Sequence, residues 1–238
     1  MSILRDLGLC AVPQRKLLNA QLETLQSCET CKDKKLNEAC QRCGVFNSAL
    51  TKYTEANIPV KYWKLEMNKD FVGDAVLMEK YKELTANIKQ TYDKGTAICF
   101  MGMFGVGKTM LCTNVLKRVL EKGYSGLYVN LNDIISALVT NLEGKAQMRS
   151  ELLTVDFLVI DEFDPRYMGS DNAADMFGRI LEDIIRIRAQ NSLPMFMCTN
   201  SPNVVESFNG PLKLSITSLM NYFTNVSVLG KDQRKSGL

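Results

Sequence analysis

At 238 residues the chain is long enough for one substantial α/β domain with a small appendage, and too short for two full-sized domains. Its 46% hydrophobic and 23% charged content is that of an ordinary globular protein, and a net charge of +3 neither demands nor excludes nucleic acid. It contains no histidine, which rules out imidazole bases, His-containing triads and His metal ligands and leaves acid–base work to carboxylates, lysine or cysteine. No apolar run approaches the ~18 residues a membrane span needs, so no membrane role is expected. Arg5 and Asp6 interrupt what would be the apolar region of a secretion signal, so export is not expected either.

In chain order, residues 14–27 place Leu17, Leu18, Leu22 and Leu25 near one face at helical spacing, which predicts a short packing or partner-binding helix. Cys28, Cys31, Cys40 and Cys43 follow as C-x₂-C-x₈-C-x₂-C. Two such knuckles can close tetrahedrally on one Zn²⁺ as four thiolates, leaving no open position, so the metal would be structural. Disulfides are the competing reading. Against them stand Cys10, Cys99, Cys112 and Cys198, scattered thiols that suit a reducing cytoplasm. A module of about 50 residues also has little apolar core, and structural zinc supplies on the order of 10 kcal/mol of folding energy. Lys32, Lys34, Lys35 and Arg42 on this finger are interleaved with Glu29, Asp33 and Glu38, as on a solvated surface.

Ile58-Pro59 reads as an extended segment, with the single tryptophan, Trp63, soon after. We place the module at residues 1–55 and the main domain at 56–238. A helical pattern from Ala75 to Tyr92 leads through Asp93-Lys94-Gly95 into an apolar strand at Ala97–Met101. That strand breaks into Gly102-Met103-Phe104-Gly105-Val106-Gly107-Lys108-Thr109 and re-enters a helix at Met110. This is the GxxxxGKT phosphate loop in its strand–loop–helix setting. Backbone amides from Gly102 to Met110 can cradle phosphate oxygens, Lys108 can reach the β- and γ-phosphates, and Thr109 can ligate Mg²⁺. The expected ligand is ATP or another nucleoside triphosphate.

A second strand is expected at Gly126–Val129, then a helix capped by Asn132 or Asp133 and running to about Leu142. Phe157–Ile160 ends in Asp161-Glu162, an apolar strand tipped with two carboxylates. Such a strand 53 residues beyond Lys108 is the Walker B pattern, with Asp161 for Mg²⁺ and Glu162 for the attacking water. A helix over 172–189 should bury Met176, Ile180, Ile184 and Ile187. A fourth strand, Met195–Cys198, ends in Thr199-Asn200, and Asn200 can touch the γ-phosphate if this strand lies between the other two tips. A helix at 212–223 and a strand at 226–228 complete the domain.

The phosphate loop, the DE-ended strand, the TN-ended strand and the closing Gly230-x-x-x-Arg234 together resemble AAA+ ATPases of the DnaC/DnaI/IstB type over residues 57–235. The resemblance also takes in Ile58-Pro59 and Arg188, six residues before Pro194. These are replicative helicase loaders and related transposition ATPases. The resemblance implies an α/β domain with a mostly parallel five-stranded sheet flanked by helices, and no C-terminal helical lid. It also implies Arg234 as a nucleotide sensor, ATP hydrolysis, self-assembly through the ATPase domain, and a replicative DNA helicase and single-stranded DNA as partners. The finger fits the N-terminal helicase-binding module of such loaders by analogy. A transposition regulator and a nucleotide-gated adaptor with little turnover are the alternatives. Two departures stand out. Asp161-Glu162 replaces the family's Asp-Asp, and Ser218-Leu219 stands where the family has Arg-Leu, so that either Arg166 or Arg179 substitutes as the trans-acting arginine or a partner supplies one. Lys117, Arg118 and Lys122 are candidate DNA contacts.

Overall fold

A computed structural model describes residues 51–140, 142–164, 171–207 and 210–233. The four-cysteine finger, Arg166 and Arg234 lie outside the described residues. Five strands form one sheet: β1 (Ala97–Gly102), β2 (Gly126–Asn130), β3 (Phe157–Asp161), β4 (Met195–Thr199) and β5 (Thr224–Val228). Their order across the sheet is β2-β3-β4-β1-β5. Every pairing is parallel. β1, β3 and β4 are apolar almost throughout because both of their faces are covered, as in a sheet with helices on either side. With β4 between β1 and β3, the tips carrying the phosphate loop, Asn200 and Asp161 are brought side by side.

The helices are α1 (Met67–Asp70), α2 (Ala75–Ala86), α3 (Ile88–Asp93), α4 (Lys108–Glu121), α5 (Leu131–Thr140), α6 (Leu142–Thr154), α7 (Asp171–Gln190) and α8 (Gly210–Met220). One core layer joins Leu77, Tyr81, Leu111 and Val115 to Ile98, Phe100, Val159 and Phe196. The other joins Ile134, Leu152, Leu181, Ile184 and Ile216 to Cys99, Leu158, Ile160 and Met197. Strand alternation explains the division: Ile98 and Phe100 point one way, and Cys99 between them points the other.

Four expectations are corrected. The helical pattern over 75–92 is two helices, broken at Asn87, whose side chain accepts from the Gln90 amide and so starts α3. The helix after β2 is capped by Asn130 rather than by Asn132 or Asp133. Asn130 Oδ1 accepts from the Asp133 amide at 2.8 Å, and Asp133 Oδ2 faces the Asn130 amide at 3.4 Å, a reciprocal capping arrangement. That helix ends at Thr140, and a further helix, α6, fills 142–154. On α7 Ile184 is buried as expected, but Ile180 and Ile187 are only partly buried, while Leu181, Ile185 and Arg188 are buried among the described side chains. Arg188 is fully buried and draws the face toward itself by donating to four carbonyls, those of Leu152, Val155, Asp156 and Pro194.

Residues 51–55 are helical and the chain then runs along the outer side of β2. The Tyr128 amide donates to Ala56 O at 2.8 Å, and Asn57 Nδ2 donates to Tyr128 O at 2.8 Å. Asn57 takes φ 56°, a left-handed turn that asparagine tolerates better than most residues. Lys52 Nζ reaches Leu120 O at the end of α4, so this strap is bonded to both β2 and α4.

Candidate nucleotide site

The loop after β1 folds as its glycines require. Gly105 and Gly107 have φ 75° and 100°. At Gly107 a Cβ would lie 2.4 Å from the Phe71 ring, and at Gly102 one would lie 2.3 Å from Val228 O. Only glycine satisfies both the backbone and its neighbours here. Gln233 braces the loop from beyond β5, its amide donating to Gly105 O at 3.0 Å and its side chain to Val106 O at 3.2 Å. Val106 itself is buried in the core, whereas Met103 and Phe104 are exposed at the loop's crest.

Lys108 is 5% exposed, and its ammonium donates to Gly102 O (2.7 Å), Met103 O (2.8 Å) and Asn200 Oδ1 (3.1 Å). The β1 and β4 tips therefore meet on one cation. Thr109 Oγ1 donates to Asp161 Oδ2 at 2.7 Å, which joins the first turn of α4 to the tip of β3. Asp161 is buried, and its Oδ1 accepts from the Glu162 amide at 2.8 Å. Glu162 holds φ 52°, an uncommon conformation for a non-glycine residue, and stays exposed beside the cavity.

A cavity of about 360 Å³ opens over these groups. Gly105, Gly107, Lys108, Thr109 and Met110 form its floor, with Asp161, Glu162 and Asn200 on one side. Lys61, Tyr62, Leu65, Phe104 and Gln233 complete the wall, and Lys61 Nζ lies 4.7 Å from the centre of the Tyr62 ring. A larger cavity, about 620 Å³, lies at the opposite end of the strands around Lys52, Tyr124, Gly126 and Val155, remote from the glycine loop. Of these two, the smaller combines the glycine loop, the Lys108 cation and the acidic oxygens of Asp161 and Glu162.

The oxygen donors of Thr109 and Asp161, 2.7 Å apart at the mouth of a glycine loop, are hard ligands of the kind Mg²⁺ takes, so the residues present fit that ion. Of the expected site residues, Lys108, Thr109, Asp161, Glu162 and Asn200 converge. Gly102 contributes a carbonyl to Lys108, and Arg234 lies beyond the described residues. Sequence reasoning missed the lining by Lys61, Tyr62 and Leu65, the brace by Gln233 and the phenol of Tyr128. Tyr128 OH donates to Asp161 Oδ2 at 2.7 Å. Burial first, and the Asp161 charge second, push that phenol's pKa far up, so it remains a donor.

The expected DNA contact Lys117 is corrected. It is buried, donates to Leu65 O and Tyr62 O at 2.5 and 3.2 Å, and lies 3.5 Å from Glu66. Burial lowers its pKa, with Glu66 opposing. Arg118 is paired with Glu66 and Glu121. Both tie α4 to the segment ahead of α1, a structural task.

The family described as IstB-like ATP binding protein matches residues 70–190, half of the chain, and the match contains the phosphate loop and Asp161-Glu162. The chain belongs to this family. Among curated relatives of this IstB-like chain, the replicative helicase loader DnaI of Bacillus subtilis is 23% identical over 133 residues, 54% of this chain and 42% of that protein. The replicative helicase loader DnaC of Escherichia coli K12 is 24% identical over 169 residues, 69% and 64% respectively. The chain thus spans less than two thirds of either relative. In fold it is similar to the crystal structure of DnaI (TM-score 0.60, 16% identity, 74% of this chain and 94% of that one). The DnaC helicase loader gives 0.56 at 19% identity over 71% and 99%. The replication initiator DnaA bound to AMPPCP and single-stranded DNA gives 0.56 at 19% over 72% and 50%. The α/β fold with a five-stranded parallel sheet is that of AAA+ phosphate-loop proteins, and the DnaC/DnaI/IstB resemblance read from the motifs holds.

Proposed function

We propose that this IstB-like protein is an ATP-hydrolysing helicase loader, which binds a replicative DNA helicase through its N-terminal module and helps deposit it on single-stranded DNA. The observation that carries the nucleotide part is the convergence of Lys108, the Thr109–Asp161 pair and Asn200 on adjacent strand tips. The helicase part is supported by the DnaI and DnaC relatives. In this reading the loop amides and Lys108 bind the triphosphate, and Thr109 and Asp161 hold Mg²⁺. That ion neutralises charge on the β- and γ-phosphates when bound. Glu162 orients the attacking water and accepts its proton, Asn200 contacts the γ-phosphate, and Arg234 serves as the nucleotide sensor that the family resemblance implies. Lys61, Tyr62 and Leu65, which line the same cavity, form the wall suited to the base.

Cys28, Cys31, Cys40 and Cys43 hold structural Zn²⁺ in the module, and ATP-bound chains assemble through the ATPase domain. The three described thiols, Cys99, Cys112 and Cys198, are buried and reduced, in keeping with a cytoplasmic protein. Steady-state ATPase assays with and without single-stranded DNA test the reading. Glu162→Gln should slow turnover by about tenfold or more while ATP binding persists. Equal turnover in that variant would favour the nucleotide-gated adaptor instead. Co-purification of a transposase in place of a helicase would favour the transposition regulator.

A further inference from the structure

Asp161 is 5% exposed, and a carboxylate that far from water must be held by donors. Two hydroxyls, those of Thr109 and Tyr128, donate to the same oxygen, Oδ2, each at 2.7 Å, and the Glu162 amide occupies Oδ1. The three donors are not equivalent. Thr109 belongs to the phosphate loop's helix and is itself an oxygen ligand in the proposed site. Tyr128 belongs to β2, a rigid strand, and its own backbone is fixed on the outer side by Ala56 and Asn57.

Register explains the reach. Tyr128 lies opposite Val159 and Asn130 opposite Asp161, so the Tyr128 ring leans diagonally along the same sheet face to the carboxylate. The ring is buried in the layer under α4, a place where phenylalanine would satisfy packing alone. The hydroxyl therefore has a use that packing does not supply.

Resting on the nucleotide reading above, we propose that Tyr128 is a positioning residue that aims Asp161 at Mg²⁺. It keeps the carboxylate oriented when the Thr109 oxygen is engaged by the ion. Its effect falls on metal-dependent binding of the triphosphate, not on the phosphate grip of Lys108 and the loop.

The test is a Mg²⁺ titration of the binding of a fluorescent ATP analogue to the full chain, repeated in EDTA. Tyr128→Phe should raise the Mg²⁺ concentration for half-maximal enhancement by about tenfold and leave affinity in EDTA unchanged. A Mg²⁺ curve within about twofold of wild type, beside a normal wild-type response, overturns the role of Tyr128 alone, since lost orienting partners ordinarily cost 10–100-fold. A wild-type chain that binds no analogue, or ignores Mg²⁺, overturns both this proposal and the site reading. Equal weakening with and without metal marks a merely structural tyrosine and also overturns it. If Tyr128→Phe does not fold, Tyr128→Leu is assayed in the same way and must give the same selective shift.

Discussion

Arg188 shows how one side chain can hold a fold without touching its site. Its guanidinium is buried, and its terminal nitrogens serve carbonyls at the end of α6, at the start of the β3 approach and just ahead of β4. Burial lowers its pKa to about 10, and it remains charged near neutrality. Removing it takes a charged donor from the Leu152, Val155 and Asp156 carbonyls, while Pro194 O keeps the Leu158 amide. Arg188→Ala should therefore destabilise the domain by about 3–5 kcal/mol. That corresponds to a fall of roughly 6–20 °C in melting temperature for a domain of this size, checked by thermal denaturation. Arg188→Lys should rescue little, because one ammonium cannot span the fan of acceptors. From the sequence Arg188 carried only its place in a family resemblance. Its burial was illegible because a charged residue on an amphipathic helix is ordinarily solvent-facing, and its acceptors lie as far as 36 residues away.

Among the elements, the turn into α4 and the turn out of it make an informative pair. Both are glycines with positive φ, Gly107 at 100° and Gly123 at 86°. A methyl group at Gly107 collides with Phe71, while one at Gly123 meets open space. Gly107→Ala should abolish binding of an ATP analogue, whereas Gly123→Ala should keep it and cost only about 1–2 kcal/mol of stability. Fluorescence titration and melting curves on both variants check this contrast. Contiguity separates what was legible here from what was not. The phosphate loop and the Asp161-Glu162 tip are continuous strings, and four of the five strands stood out as apolar runs. The Asn200 placement followed once β4 was put between β1 and β3. Gln233, Phe71 and Tyr128 were invisible because their contacts depend on strand register and on how the chain returns past the loop, and neither is periodic. The helix over 142–154 was missed for a related reason, since its apolar positions make no coherent stripe.

At the scale of the whole molecule, the proposed zinc module and the described α/β domain make separable forecasts. The purified full chain should carry one zinc per molecule by metal analysis. Cys40→Ser should lose the zinc and the capture of helicase while nucleotide binding is kept. A metal-free chain that still captures its partner would remove zinc from the account. The strap at residues 56 and 57 has a consequence of another kind. By occupying the amide and carbonyl of Tyr128 on the outer flank of β2, it denies a stray strand from another chain its template there. Any β-mediated clumping or strand exchange is thereby steered to β5, whose residues pair with β1 alone among the described strands. Charge or proline placed on β5 is accordingly the economical way to keep concentrated preparations monodisperse.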